Sequence, residues 1–480
     1  MSEARPLAAI ILAAGLGTRM RSGKAKVLHE IGGEPMVARA LRALASLKPN
    51  LIITVVGHQA KAVAEAVRRA VPDQTLRFAL QTAQRGTGDA ARIALSELPD
   101  DFDGDVLIGY GDTPCLNPST LASFREAHHH AGGEVGFISA EVASPDGYGR
   151  VVRDGSGTVE GIVEHRDASA AERMIKEINT GIYLADASLM REALAALTNN
   201  NVQREFYLTD IVAIARLRGA RVSAWRAGDA AEFEGINTRE ELARMNQELR
   251  NQRIRALMEA GVTFVDPATA YIAESAVIGQ DTTIGPNVQI LGNSRIGSGV
   301  MIEGTAWLRD VTVGDRCHLK ICVRAEESTI GEDCEIGPFA NLRAGTTLAG
   351  HNRVGNFVET KKVRLGRGTK ASHLSYLGDS VIGSETNIGC GVITVNYDGY
   401  DKHVTTIGDR CMVGCDTQLV APVTVGNDVY VASGSTILKD VQDGALVLSH
   451  HPQREKPGWT AGWHRRHKDH PSTAKVTGAK

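Results

Sequence analysis

From Ile278 to Ile437 an aliphatic residue returns on a six-residue grid, and glycine very often follows it: Ile278-Gly279, Ile284-Gly285, Ile296-Gly297, Ile330-Gly331, Ile336-Gly337, Val354-Gly355, Ile382-Gly383, Ile388-Gly389, Ile407-Gly408, Val413-Gly414 and Val425-Gly426. A period of six fits neither a helix nor a simple alternating hairpin. It fits short strands joined at regular corners, with three sides closing one triangular coil. The aliphatic residue is buried once per side, and the glycine suits a corner where a Cβ would be strained. Small residues four places after the aliphatic, Cys317, Cys334, Cys411 and Thr417, are expected to share the crowded interior. The register shortens to fives at Leu308, Ala325, Thr360 and Leu377 and then resumes. At about 18 residues per coil the run makes roughly nine coils, enough for a continuous core that no single hexad could build.

A chain of 480 residues is too long for one ordinary core, so at least one more domain is expected beside the repeat. The formal net charge of −3 supplies no basic field, which argues against nucleic acid and anionic membrane as partners and for small-molecule substrates. The seven cysteines form no CxxC pair and read as core fillers in a reducing cytoplasm. The apolar run from Leu7 to Ala14 lacks the charged flank and cleavage site of a signal peptide, and reads as a first buried strand. No segment approaches transmembrane length.

Before the repeat, short apolar runs alternate with amphipathic ones. Strands are predicted at Leu7–Ala13, Leu51–Val56, Leu76–Leu80, Asp105–Gly109, Glu134–Ala140 and Gly181–Leu184, with helices at Met36–Leu47, Gln59–Ala70, Asp89–Leu98 and Ser119–His130. The alternation argues for a mostly parallel α/β sheet covered on both faces, with ligands at the carboxyl ends of its strands. Residues 238–260 read as one long linking helix. The domain plan is therefore residues 1–237, a helical linker at 238–260, the repeat at 261–452 and an arm at 453–480. Trp459 and Trp463 suggest that the first part of the arm docks on protein. The three histidines His128 to His130 point in different directions on a helix, so they cannot converge on one metal ion and read as a solvated helix end.

The first strand runs into Ala14-Gly15-Leu16-Gly17-Thr18-Arg19-Met20. Bare glycine backbone lets amides approach a phosphate, and Arg19 can bind its oxygens in a fork. The third glycine of a dinucleotide fingerprint and the GK[ST] of a P-loop are both missing, so neither NAD binding nor ATP hydrolysis follows. The whole stretch LAAGLGTRM with Lys26-Val27-Leu28 resembles the signature of sugar-1-phosphate nucleotidyltransferases. Gln81, Gly86-Thr87-Gly88, Tyr110-Gly111-Asp112, Tyr148-Gly149-Arg150, 161–164, 177–181 and 234–237 follow in that family's order. Together with the hexads, which resemble those of left-handed β-helix acyltransferases, the chain is similar to the bacterial bifunctional N-acetylglucosamine-1-phosphate uridyltransferase and glucosamine-1-phosphate N-acetyltransferase family.

The resemblance implies an α/β fold with a Rossmann-like nucleotidyltransferase domain, a linking helix and a left-handed parallel β-helix. It implies that Leu12, Ala13, Ala14, Gly15, Gln81, Gly86 and Thr87 hold the nucleotide and that Tyr110 and Gly111 are among the substrate-binding residues. Gly149, Glu164 and Asn179 would hold the amino sugar. Asp112 and Asn237 would ligate Mg2+, while Arg19 and Lys26 offset charge at the α-phosphate of UTP. In the family a proline usually precedes this lysine; this chain has Ala25. Taken alone, Asp112 would be a turn or helix-cap acid and Asn179 and Asn237 ordinary turn residues.

Within the repeat, Arg343, Lys361, His373, Tyr376, Asn387 and Asn396-Tyr397 interrupt the pattern, and the hexads pause between Ile393 and Ile407 for an insertion that must leave the coil as a loop. The stretch around Gly355–Glu359, Lys361-Lys362 and His373–Asp379 resembles the family's acetyltransferase site. The resemblance makes His373 the base that frees the amine of glucosamine-1-phosphate, Arg343 and Lys361 the grip on its phosphate, and Tyr376 and Asn387 its sugar contacts. Asn396, Tyr397, Cys390, Cys415, Ser433 and His450 would contact acetyl-coenzyme A, and a homotrimer is implied. Other readings at this stage are a nucleotidyltransferase whose repeat is only a scaffold, a non-enzymatic trimeric scaffold, and a metal-dependent β-helix hydrase built on His318, His351, His373 and His403.

Overall fold

The computed structural model describes residues 5–449 and 453–466. The chain divides into two compact units between Arg250 and Asn251, inside the helix Arg239–Glu259.

The first unit is built on one sheet of nine strands: β1 Leu7–Leu12, β2 Leu51–Val56, β3 Leu76–Leu80, β4 Asp105–Tyr110, β5 Val135–Glu141, β6 Arg150–Arg153, β7 Val159–Val163, β8 Glu177–Asp186 and β9 Val222–Arg226. The order across it is β9-β5-β8-β4-β1-β2-β3, with the β6–β7 hairpin attached to β8. Strand β1 lies parallel to both β2 and β4, whereas β8 runs antiparallel to β4 and β5. Alternation along β1 explains how the sheet is covered. Ala8, Ile10 and Leu12 join a core with Ala91, Leu95, Met190 and Ile211, while Leu7, Ala9 and Ile11 join another with Val37, Leu41, Val67 and Phe124. The helices supplying these residues include Met36–Ala45, Ala60–Ala70, Thr87–Leu95 and Pro118–His130, close to the predicted ones. The hairpin, β9 and the helices Ala187–Ala195 and Asp210–Leu217 were not predicted.

One expectation in this unit is corrected. His128 is buried rather than solvated, because it packs against Phe124 and faces Gly133 and Gly136, which leave space for its ring. Burial, with the neighbouring His129 adding to it, pushes its pKa down to about 4. His129 instead bonds the buried Asp105 at 2.8 Å.

The second unit is a parallel β-helix of hexapeptide repeats. Thr283 pairs with Met301 and Gln289 with Trp307, a step of 18 residues. Each run of five shortens the step to 17, as where Arg295 pairs with Thr312 and His318 with Glu335. The insertion lengthens it to 25, from Asn387 to Met412, without breaking the register. The aliphatic positions form one continuous core, and Cys317, Cys334, Cys411 and Thr417 are buried among them. Gly337 takes a positive φ of 96°, as a strained corner requires, but the other hexad glycines have a different reason. A Cβ on Gly285 would lie 1.9 Å from the Glu303 carbonyl oxygen and one on Gly355 2.0 Å from that of Ser372, so it is contact between coils that demands glycine there. Left-handed backbone in the coils falls also on polar residues such as Asp281, Asn287, Arg316 and Asp428.

Residues 459–466 form a short helix in which the rings of Trp459 and Trp463 stack on each other at 5.3 Å. Both rings stay about half exposed in the single chain.

Candidate active sites

The first constellation forms where β1, β3 and β4 end. Leu12, Ala13 and Ala14 continue the buried β1, and Gly15 follows them with open space around its Cα. Gly17 takes a left-handed conformation, φ 61°, and a Cβ there would lie 2.5 Å from the Cβ of Lys26, so a glycine lets the loop fold onto that lysine. Ala25 has φ −56°, which proline would also adopt, but its N–H donates to Gln59 Oε1 at 2.9 Å. The substitution of the usual proline thus gives the turn before Lys26 a hydrogen bond that proline could not make.

Lys26 reaches into the site. Its Nζ pairs with the Asp112 carboxylate and donates to Asn237 Oδ1 at 2.9 Å. Two oxygens from separate segments therefore converge on one positive charge, and Asn237 is aimed by its own amide bond to the Gly235 carbonyl at 3.1 Å. A carboxylate and an amide oxygen sharing a point charge are a donor set suited to a hard divalent cation, for which the ammonium stands in. Arg19 is exposed and makes no ion pair among the described residues.

Gln81 lies buried beyond β3, where its amide donates to the Gly86 carbonyl at 3.3 Å and to Asp89 at 3.1 Å. Gly86 has φ 106°, and a Cβ would meet the Phe206 carbonyl oxygen at 2.5 Å. Thr87 Oγ1 accepts from the Leu208 amide at 3.2 Å. Gly111 packs its Cα against Ala13 and Val27. Tyr110 is half-buried, and burial of its hydroxyl, with Glu164 and Asp112 nearby, raises its pKa well above the ordinary value.

On the other side, Gly149 lies against Ile162, and Glu164 accepts from Thr209 Oγ1 at 3.1 Å. Burial raises the Glu164 pKa, and the nearby acids Asp210 and Asp167 add to the effect. Asn179 donates to the Tyr183 hydroxyl at 2.6 Å and accepts from the Gly181 amide at 3.1 Å, which fixes its orientation. The sequence reading quoted Arg150 only within the Tyr148-Gly149-Arg150 motif and gave it no role, and it missed Thr209 and Tyr207. Arg150 is fully buried and bonds the Tyr148 carbonyl and the His165 ring, so it shapes the turn that carries Gly149. A charged residue at a strand start gave no sign of this in the sequence.

The second constellation lies on the β-helix. Asn356 and His373 are in register on adjacent coils, as are Glu359 and Tyr376. The His373 ring is exposed and makes no hydrogen bond among the described residues. Arg343 pairs with Glu359 at 2.7 Å. The Tyr376 hydroxyl lies over Gly378, where a Cβ would stand only 2.5 Å from it. Asn387 donates to Met412 Sδ at 3.2 Å.

The insertion is a built loop rather than a slack one. Asp398 accepts from the amides of Tyr400 and Asp401 and from the His403 ring, at 2.7–2.8 Å, and these bonds hold its carboxyl well below the usual range. Asn396 bonds Asp379, and Tyr397 is exposed with its hydroxyl on the Gly399 carbonyl at 2.6 Å. The loop returns Lys402 beside Lys361, and that second ammonium lowers the Lys361 pKa. Lys402 was not singled out from sequence because lysine in a polar loop carries no signal; only the turn of the loop brings it here.

Cys390, Cys415 and Ser433 stack at one corner of consecutive coils. Asp416 N donates to the Cys390 carbonyl at 2.7 Å and Cys415 N to Ser433 Oγ at 3.1 Å. His450 lies outside the described residues. The histidines His318, His351 and His403 are each paired with a separate acid, so no shared metal centre forms from them. His351 does stand near Glu332 and Asp333, but Arg316 and Arg367 already pair with those carboxylates.

The architecture and sites define a nucleotidyltransferase joined in one chain to a hexapeptide-repeat acyltransferase. Residues 9–209 match the MobA-like NTP transferase domain, 267–352 the GMPPB C-terminal domain and 405–439 the bacterial transferase hexapeptide. The chain is 47% identical over 453 residues to the bifunctional protein GlmU of Pelobacter propionicus, covering 94% of this chain and 98% of the relative. It is 44% identical to that of Geotalea uraniireducens over the same share of each, and 44% identical to that of Streptomyces avermitilis over 96% of this chain and 95% of the relative. The chain belongs to the GlmU family, bifunctional enzymes that are both uridyltransferases and acetyltransferases.

Proposed function

We propose that the β-helix unit acetylates glucosamine-1-phosphate and that the α/β unit then converts N-acetylglucosamine-1-phosphate and UTP into UDP-N-acetylglucosamine and pyrophosphate. For the second step the supporting observation is the convergence of Asp112 and Asn237 oxygens on one cation beside the glycine loop. Those two residues would hold Mg2+, which supplies Lewis-acid stabilisation of phosphate charge. Gly15 leaves space for phosphate oxygens, and Lys26 and Arg19 place positive charge at the α-phosphate. A sugar-phosphate oxygen forms the new bond to that phosphorus as its bond to the pyrophosphate oxygen breaks. Gln81, Gly86 and Thr87 hold the nucleotide, and Gly149, Glu164 and Asn179 the sugar, so the chain works by positioning and electrostatics.

In the acetyl transfer, Lys361, Lys402 and Arg343 offer a cationic seat for the sugar phosphate. His373 takes a proton from the 2-amino group, the nitrogen bonds the acetyl carbon, and the carbon–sulfur bond breaks to release coenzyme A. Tyr376 and Asn387 face the sugar, while Asn396, Tyr397 and the corner of Cys390, Cys415 and Ser433 line the coenzyme. Assembly into a homotrimer is supported by an exposed apolar ridge, Ile321, Phe339, Phe357 and Leu374, that climbs one residue per coil to the position next to His373. Phe339 and Phe357 stack at 5.3 Å along it. Among the described residues no helix is long and apolar enough to cross a membrane, and the free thiols of Cys317, Cys322, Cys334, Cys390, Cys411 and Cys415 suit a cytoplasmic enzyme.

The test compares the parent with His373→Ala for thiol release from acetyl-coenzyme A and pyrophosphate release from UTP. Loss of the first with retention of the second is expected. Thiol release that survives the substitution in full would remove His373 from the mechanism.

A further inference from the structure

The segment 202–209 connects the two ends of the uridyltransferase site, and its side chains alternate between them. Phe206 N donates to the Arg85 carbonyl and the Phe206 carbonyl accepts from Gly88 N, both at 2.8 Å, which closes this segment over Gly86 and Thr87. There is no slack at the contact, since a Cβ on either Gly86 or Gly88 would collide with the Phe206 backbone. The guanidinium of Arg92 lies 4.9 Å from the Phe206 ring centre and pairs with Asp89, the acid that also holds Gln81. Leu208 N bonds Thr87 Oγ1 at 3.2 Å. The intervening residues face the other way: Thr209 donates to Glu164 at 3.1 Å and Tyr207 to Asp167 Oδ2 at 3.0 Å, with both side chains buried.

Asp167 is the anchor of this strap. Its second oxygen accepts from Val202 N at 3.0 Å, and its own amide donates to the Glu164 carbonyl at 3.0 Å. One carboxylate therefore ties the start and the middle of the strap to the turn that presents Glu164. We propose that Asp167 is a positioning residue for uridylyl transfer: through Tyr207 and Val202 it holds the strap that sets Thr87 against the nucleotide and Glu164 against the sugar, so both substrates lose affinity together when it is removed. Asp167 does not itself touch the reacting atoms. This inference rests on the uridyltransferase reading of the α/β unit.

The experiment is steady-state pyrophosphate release by the full-length protein, measured for the parent, Asp167→Ala, Asp167→Asn, Tyr207→Phe and the double variant Asp167→Ala/Tyr207→Phe. Losing one such hydrogen bond should raise KM for both N-acetylglucosamine-1-phosphate and UTP by about fivefold, with kcat changed by less than about twofold. Asp167→Asn keeps an acceptor and should recover part of the loss. The double variant should be no worse than its weaker parent variant, because the two groups act through one bond. Thiol release in the β-helix unit should match the parent throughout, and an unchanged urea-unfolding transition of the α/β unit reports that each variant is folded there. Unchanged KM values in such folded variants, a fall in kcat alone, or single effects that multiply in the double variant would each overturn the proposal. Where Asp167→Ala fails to fold, Tyr207→Phe, which removes only a hydroxyl, decides the question by the same KM criterion. A parent that releases no pyrophosphate defeats the underlying reading instead.

Discussion

Replacing Lys26 by methionine separates its hold on Asp112 and Asn237 from the role proposed for it at the α-phosphate. The Lys26 ammonium occupies the point between Asp112 and Asn237 at which a divalent cation would bind, so metal and lysine compete for the same oxygens unless a phosphate draws the lysine away. Both partners of the ion pair are mostly buried, with side chains 12% and 19% exposed, so solvent screens the pair only in part. Two charge-assisted bonds in such a setting are together worth about 2 kcal/mol against water. Binding a metal without nucleotide must forfeit that amount in the parent but not in Lys26→Met, a difference of about thirtyfold in dissociation constant. Mn2+ has the same preference for oxygen ligands and can be titrated by electron paramagnetic resonance with no substrate present. Tighter Mn2+ binding by Lys26→Met is expected, together with loss of uridylyl transfer and intact thiol release. Equal or weaker Mn2+ binding in the folded variant would refute the competition.

Gly86→Ala adds a Cβ 2.5 Å from the Phe206 carbonyl oxygen at a positive φ, so uridylyl transfer should fall at least tenfold while acetyl transfer persists; a kinetic comparison of both activities checks it. Lys402→Met removes one ammonium from the seat beside Lys361 and should raise KM for glucosamine-1-phosphate about tenfold, measured by thiol release. His128 gives a pH dependence of stability. Its folded pKa is lowered from 6.5 to about 4, so the unfolded chain takes up the proton first as pH falls. Stability from this group is complete above pH 6.5 and is lost progressively towards pH 4, by up to about 3 kcal/mol. His129 and Arg5 oppose protonation of this ring and Asp105 favours it. Urea unfolding of the α/β unit at pH 7 and pH 5 should show the loss, and His128→Asn should flatten it.

Several features could be read from the chain because they are periodic or local. The six-residue period states where the aliphatic core lies, and burial of Ile284, Leu308, Val354 and Ile407 follows directly from it. The glycine loop after β1 and the Tyr-Gly-Asp at the end of β4 are legible because each closes an apolar run, which puts it at a strand's carboxyl end. The antiparallel insertion of β8 was not legible, since a fully buried strand reads the same in either direction. The burial of His128 escaped for a related reason. It depends on two glycines, Gly133 and Gly136, that leave the volume its ring fills.

By itself, then, the order of residues determined the coil period, the two-domain plan and the polar residues that break the pattern, because these depend on hydrophobic spacing along one chain. Only the tertiary structure decided which polar groups meet. Lys26 reaches Asp112 and Asn237 across 86 and 211 residues, and Lys402 reaches Lys361 by the return of an insertion whose length does not disturb the coil register. The hexad glycines make the same point from the other side. Their positions are plain in the sequence, but the reason for them lies in the next coil, where a neighbouring backbone leaves no room for a Cβ.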